Sequence, residues 1–120
     1  MRAWWARRVR AGYCGRCARP QVPGKTKCVR HLQQGVDNQR RLNYGLSPEE
    51  YQRLHRAQGG ACAICRRRLK LHIDHDHQSG RVRGLLCNSC NNGLGRFADN
   101  PERLYRAGDY LVTYYPKETP

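Results

Sequence analysis

This sequence is short of three things: apolar residues, acidic residues and any uninterrupted hydrophobic run. The hydrophobic fraction is 38% over 120 residues, little material from which to build the core of a one-domain chain. The opening Met1-Arg2-Ala3-Trp4-Trp5 holds no apolar run long enough for a secretion signal or a membrane span. An intracellular protein with no membrane partner is therefore expected. Acidic residues number 9 against 23 Lys and Arg, for a formal charge of +14. Such an excess on so small a chain repels itself unless a polyanion neutralises it, and nucleic acid is the commonest polyanion.

What the chain does have is cysteine. Seven cysteines cannot all pair within one chain, and a reducing compartment disfavours disulfides, so metal binding is the better reading. Cys62-x-x-Cys65 and Cys87-x-x-Cys90 have zinc-knuckle spacing, and their four thiolates would close a tetrahedral structural site with no open position for chemistry. Cys14, Cys17, Cys28 and His31 form a second candidate zinc set, which leaves no cysteine over; the rival reading of Cys14-x-x-Cys17 is a redox pair. Bound zinc would supply stability that the sparse core lacks. Seven thiolates remove seven charges and two zinc ions return four, so the metallated chain keeps +11.

Between the knuckles runs His72-Ile73-Asp74-His75-Asp76-His77, and Asn91 follows the last cysteine. Asp74 and Asn91 are hard oxygen donors of the kind that suits Mg²⁺ or Mn²⁺. His75, neutral near pH 7, can take a proton from water. A divalent ion beside an imidazole is a device for hydrolysing a phosphodiester. In a regular strand Asp74 and His75 would point to opposite faces, so their joint use requires the strand to end or bulge there.

These residues carry a resemblance. Leu46-Ser47-Pro48-Glu49-Glu50-Tyr51, Gln58-Gly59-Gly60, Cys62-Ala63-Ile64-Cys65, Ile73-Asp74-His75-Asp76-His77, Gly80-Arg81-Val82-Arg83-Gly84-Leu85-Leu86-Cys87 and Cys90-Asn91 resemble the recombination endonuclease VII family, within the His-Me finger (HNH-like, ββα-metal) nucleases. Leu94-Gly95 and Tyr110-Leu111 continue the match, which covers roughly the last two thirds of the chain. The resemblance implies Asp74 and Asn91 as ligands of the catalytic metal, His75 as general base and the four cysteines as structural zinc ligands. It also implies products with a 5′-phosphate and a 3′-hydroxyl, and a protein of phage or bacterial origin acting in the bacterial cytoplasm. Asparagine is also a common helix cap, and for Asn91 the resemblance decides for the metal.

The remaining segments are read from local signals. Ser47, Pro48 and Glu50 predict a capped helix with Tyr51 and Leu54 inward and Gly59-Gly60 as its stop. Leu69 to Asp74 and Arg81 to Leu86 predict a hairpin turning at Gln78-Ser79-Gly80, with a helix after Cys90 completing a ββα unit. Asn100-Pro101-Glu102 opens a last helix, on which Leu104, Ala107, Tyr110 and Leu111 should pack on the core until Pro116 ends it. Residues 32–44 read as a solvated helix or linker. Arg66, Arg67, Arg68, Arg81 and Arg83 are the candidate DNA-binding residues, with solvated side chains the plainer alternative for the arginine run. His77 either assists His75 or bonds within the turn; Asp76 orients a neighbour or makes an ordinary turn contact. Trp4 and Trp5 are expected to pack rather than to stack on bases.

The expectation is thus a small, zinc-stapled α+β protein. Residues 1–45 would form a basic zinc module and linker, 46–116 a ββα-metal nuclease domain, and 117–120 a frayed tail. Its function would be metal-dependent cleavage of duplex or branched DNA, by nicking or at Holliday junctions. Junction-resolving relatives dimerise through a long C-terminal helical region, so the expectation here is a monomer or weak dimer. The alternative is a non-catalytic, zinc-stapled nucleic-acid-binding module or phage accessory factor, for which Asp74, His75 and Asn91 would have no joint use.

Overall fold

The computed structural model describes residues 2–115; the expected helix stop at Pro116 and the tail 117–120 lie outside them. Two compact units emerge, Met1–Tyr51 and Gln52–Pro120.

In the first unit, helix α1 (Arg2–Arg10) leads into a loop carrying Cys14 and Cys17, and α2 (Val29–Tyr44) begins directly after Cys28, its N-cap. The segment expected as a solvated helix or linker is therefore a helix that starts earlier, and its first turn holds His31 three residues from Cys28. That spacing puts the two ligands on one helical face. The metal-ligating atoms of Cys14, Cys17, Cys28 and His31 all lie within 4.8 Å of one another. Cys17 and Cys28 sulfurs are 3.6 Å apart, close to the separation of about 3.8 Å that a tetrahedral ion with 2.3 Å bonds to sulfur imposes. Trp5 packs against Gly15 so closely that a Cβ there would sit 2.1 Å from the indole nitrogen. Gly15 is thus required by packing. Trp4 lies against Arg8, whose guanidinium carbon is 4.8 Å from the ring centroid and which also donates to the carbonyls of Cys14 and Cys17. Each tryptophan thus makes a packing contact within the unit, while Trp4 stays 52% and Trp5 46% exposed.

Helix α2 ends at Gly45 in the left-handed conformation, φ 63°. Helix α3 (Pro48–Ala57) then opens with the predicted reciprocal cap: the Glu50 N–H donates to Ser47 Oγ at 3.1 Å, and the Ser47 N–H donates to Glu50 Oε2 at 3.0 Å. This helix runs from the first unit into the second.

In the second unit, strands β1 (Leu71–His75) and β2 (Val82–Cys87) form an antiparallel hairpin, followed immediately by α4 (Asn88–Arg96) and then α5 (Pro101–Tyr114). Helix α4 packs on both strands, giving the expected ββα unit. It starts at Asn88, before the expected position, with Cys87 as its N-cap, so that Cys90 and Asn91 are already helical. Cys62, Cys65, Cys87 and Cys90 bring their sulfurs within 4.8 Å of one another. Around them Leu86 is buried and Leu71 and Leu94 are half-buried. Four of the seven buried apolar side chains of the described residues are cysteines. Cysteine clusters thus occupy much of the place of a hydrocarbon core.

The outer edge of β2 is covered at Leu85 by the Gln58 side chain and by the Ala63 N–H, which donates to the Leu85 carbonyl at 3.1 Å. Gln58 Oε1 accepts from the buried Leu85 N–H at 2.9 Å, while its Nε2 donates to the Leu85 carbonyl at 2.8 Å. The amide thereby pairs with β2 as the backbone of a third strand would.

One expectation fails. On α5 only Leu104 and Ala107 are half-buried; Tyr110 and Leu111 are 65% and 54% exposed. Periodicity identified an apolar face, but the core ends before its C-terminal half.

Removing zinc with a high-affinity chelator is expected to abolish the cooperative thermal transition of the chain, read by circular dichroism. Gln58→Ala leaves the buried Leu85 N–H without its acceptor and is expected to lower stability by about 1–3 kcal/mol in a denaturant titration.

Candidate active site

The hairpin register changes where function was expected. Asp74 faces Gly84 across the ladder, but His75 faces Val82, so Arg83 is the extra residue of β2. The extra residue lies on β2, so the bulge bends and twists the hairpin where β1 ends without inserting a residue between Asp74 and His75. The predicted irregularity is thus present at the predicted pair of residues.

Asp74 is buried at 6% exposure, and its charge is matched by Arg83. Arg83 Nε donates to Asp74 Oδ2 at 2.7 Å and Nη2 to Oδ1 at 2.9 Å. This fork-on-carboxylate geometry is the strong form of an ion pair. The hydrogen bonds to Asp74 hold the Arg83 guanidinium above its already high ordinary pKa. Arg83 Nη2 also reaches Asp99 Oδ2 at 3.4 Å, and the same oxygen lies 3.2 Å from His77 Nδ1. The rings of His77 and His75 are 4.9 Å apart, centroid to centroid. Asp74, Arg83, Asp99 and His77 are therefore linked by hydrogen bonds, with His75 stacked beside the far end. Arg83, Asp99, His77, Asp76, Gln78, Gly95 and Ala98 line a cleft of about 550 Å³.

Asp99 was not anticipated. It sits between α4 and α5 with φ 53°, next to Ala98, also at φ 53°. Two successive non-glycine residues in the left-handed region are costly, and here they turn the Asp99 carboxylate toward Arg83 and His77. No spacing in the sequence announces this, because the contact joins residues 16 and 22 positions apart.

The other members of the cluster fall into place individually. Asp76 closes the hairpin turn, its Oδ2 accepting from Ser79 Oγ at 2.7 Å and its Oδ1 from the Gln78 N–H at 3.2 Å. The Ser79 hydroxyl, followed by the Gln78 N–H, holds its carboxyl below the usual range. Its role is the turn contact. His72 is exposed. Asn91 is half-buried on α4, four residues past the Cys87 cap, so the helix-cap alternative does not apply. Arg66, Arg67, Arg68 and Arg81 are exposed. Arg66 takes the left-handed φ of 60° that closes the first knuckle, and the Arg67 guanidinium is held above its ordinary pKa by a hydrogen bond with the Cys65 sulfur. Burial would raise the pKa of Cys62, but the N–H groups of Cys87, Cys65 and Ile64 outweigh it and bring the thiol down to about 6. These knuckle N–H groups favour the thiolate that binds zinc.

The donor chemistry suits a hard cation as well as zinc. A carboxylate has about four lone-pair sites; Arg83 takes two of those on Asp74, and a second oxygen donor is available in the Asn91 amide. Hard cations take such oxygens.

A model of the recombination endonuclease VII family matches residues 37–113. The gene 59 protein of Mycobacterium phage D29 is 51% identical over 73 residues, spanning 57% of this chain and 44% of the relative. The gene 59 protein of Mycobacterium phage L5 is 45% identical over 74 residues, spanning 58% of this chain and 45% of the relative. The chain thus spans less than half the length of these relatives. Among solved structures, the ββα-Me type II restriction endonuclease Hpy99I aligns over 81% of this chain and 53% of its own, at 30% identity and a TM-score of 0.43. Among the described residues no helix is long and apolar enough to cross a membrane.

Arg83→Gln leaves the Asp74 carboxylate buried without its cation. The expected result is a loss of about 1.5–3 kcal/mol in unfolding free energy, measured with zinc content held equal; an unchanged midpoint would mean that the pair contributes nothing.

Proposed function

The chain belongs to the recombination endonuclease VII family, and from that premise we propose that it hydrolyses phosphodiester bonds in duplex or branched DNA with the help of Mg²⁺ or Mn²⁺. The observation that supports this reading is the register shift between Asp74 and His75, which falls where Arg83, the partner of Asp74, and His77, the neighbour of His75, line one cleft. Asp74 and Asn91 would hold the divalent ion. When bound, that ion stabilises negative charge on the scissile phosphate and the departing 3′-oxygen.

The chain's own residues supply the rest. His75 takes the proton from the attacking water, leaving a 5′-phosphate and a 3′-hydroxyl. His77, held by Asp99, keeps its ring against His75 and assists it from the cleft wall. Arg83 neutralises Asp74 and limits how far that carboxylate turns. Arg81 and the Arg66 to Arg68 run offer exposed cations for the backbone phosphates, which position DNA without reading its sequence. Two zinc ions, on the four-cysteine set and on Cys14, Cys17, Cys28 and His31, hold the frame and take no part in the reaction.

One observation favours a second reading. Both oxygens of Asp74 already accept hydrogen bonds from Arg83, as they would in a non-catalytic nucleic-acid-binding module that had lost its ion.

The two readings part in a cleavage assay on end-labelled duplex, nicked, mismatched and four-way-junction DNA with Mg²⁺ or Mn²⁺. The unsubstituted chain is expected to cut at least one of these. His75→Ala should bind DNA and retain zinc while its cleavage rate falls by about 10²–10⁴-fold, the usual worth of a general base. Binding without cleavage by both proteins would leave the binding module as the function.

A further inference from the structure

The chain's positive charge is not evenly spread. Residues 1–36 contain nine Lys and Arg and no Asp or Glu, the first acidic residue being Asp37. Nine of the fourteen net positive charges thus fall in less than a third of the chain. The family match begins only at residue 37, so the nuclease chemistry does not account for them. Three thiolates and one zinc ion would reduce this segment only from +9 to +8.

Two of the features that could absorb such a segment are already committed. Arg8 is a structural clamp, tied to the carbonyls of Cys14 and Cys17 and stacked on Trp4. Trp5 packs against Gly15, although it and Trp4 remain 46% and 52% exposed. Arg7 and Arg10 at the end of α1, and Arg16 and Arg19 in the knuckle loop, are exposed. Among the described residues none of these four forms an ion pair. Beside them Arg7, Arg8, Ala11, Tyr13 and Ala18 line a groove of about 320 Å³, with Tyr13 48% exposed. The groove is braced. Tyr13 bridges to Pro20, its N–H donates to the Arg8 carbonyl at 3.0 Å, and Gln21 Nε2 donates to the Val9 carbonyl at 3.0 Å. An aromatic face held beside the unpaired Arg7 guanidinium, in a unit where Arg10, Arg16 and Arg19 are also exposed, is a combination suited to single-stranded nucleic acid, cations taking the phosphates and the ring taking a base.

We propose that the N-terminal zinc unit is a second nucleic-acid-binding surface, on which Arg7, Arg10, Arg16 and Arg19 neutralise backbone phosphates and Tyr13 stacks an unpaired base. The zinc ion of this unit is then a scaffold for the contact: Arg16 lies between two of its ligands, and the loop it closes carries Arg19. Because phosphate and stacking contacts are indifferent to sequence, this surface raises affinity and favours unpaired DNA without choosing a site. It goes beyond the nuclease reading and does not rest on it.

The test uses the full chain in the His75→Ala background, so that binding is read without cleavage. Fluorescence anisotropy on a labelled single strand and on the matching duplex, between about 50 and 200 mM salt, gives affinity and salt slope. With Arg7, Arg10, Arg16 and Arg19 all changed to Gln, the slope of log affinity against log salt should fall by about 3 on either substrate, and affinity by at least tenfold. Tyr13→Ser should weaken single-strand binding by at least about fivefold and leave duplex binding unchanged. Zinc content and melting temperature, measured on each variant, exclude loss of fold; Arg16 and Arg19 meet the buried Cys14 through their backbone, which the substitutions keep. A quadruple variant that keeps the parent's affinity and slope overturns the proposal and turns the basic surface over to some other anionic partner. Equal weakening of both substrates by Tyr13→Ser overturns the stacking contact. A chain that never cuts DNA would sink the nuclease reading while leaving these binding results to stand.

Discussion

The gathering of seven cysteines and one histidine into two four-ligand clusters is the constraint on which the rest of this structure depends. A chain with so few apolar side chains buries little hydrocarbon, and the hydrophobic return on ordering it is correspondingly small. Two clusters of soft ligands, each drawn together within 4.8 Å, replace that return with a few directed bonds. The positions of the elements follow from the clusters. The knuckle of Cys62 and Cys65 anchors the loop before β1, and Cys87 and Cys90 join the end of β2 to the first turn of α4. The hairpin and helix that frame the candidate active site are consequently cross-linked at one end and open at the other, where Asp74, His75 and Asp99 lie.

Opposition of charge within that open end is the second organising feature. A buried carboxylate without a cation is costly, and Arg83 prevents that cost by a two-pronged contact. The residue that supplies it is the extra one of the β2 bulge, so the irregularity opposite the end of β1 delivers the counter-ion of Asp74. Asp99 then holds the outer edge of the guanidinium and the ring of His77 on one oxygen. Backbone strain at Ala98 and Asp99 is concentrated where this network closes, as is common at sites whose geometry is held by their surroundings.

Most of what was legible in the sequence was local. Cysteine spacing foretold both ligand clusters, Ser47 and Glu50 foretold their reciprocal cap, and the adjacency of Asp74 and His75 foretold a break in strand geometry, because each depends on residues a few positions apart. Contacts that depend on folding were illegible. Nothing near Asp99 hints that it will meet Arg83, and Gln58 resembles any polar residue at the end of a helix until Leu85 is brought against it. Periodicity misled at Tyr110 and Leu111 for a related reason: it reports that a helix has an apolar side, and is silent on whether anything covers it. The start of α4 at Asn88 was missed because cysteine is an unusual cap; the Cys87 sulfur accepts the Cys90 N–H at 3.5 Å, a role ordinarily read from Ser, Thr, Asp or Asn.

The amide of Gln58 has a consequence for the life of the protein in a crowded solution. A ribbon of two strands exposes two edges, and an open edge is a template on which another chain can add itself and begin an aggregate. Larger sheets protect such edges with bulges, charges or further strands; this hairpin has its bulge at Arg83 and, among the described residues, no further strand beside Leu85. Here the Gln58 amide occupies the donor and, with the Ala63 N–H, the acceptor of Leu85, the most deeply buried leucine of β2, and so withdraws the hydrogen-bonding pair that an intruding strand would need there.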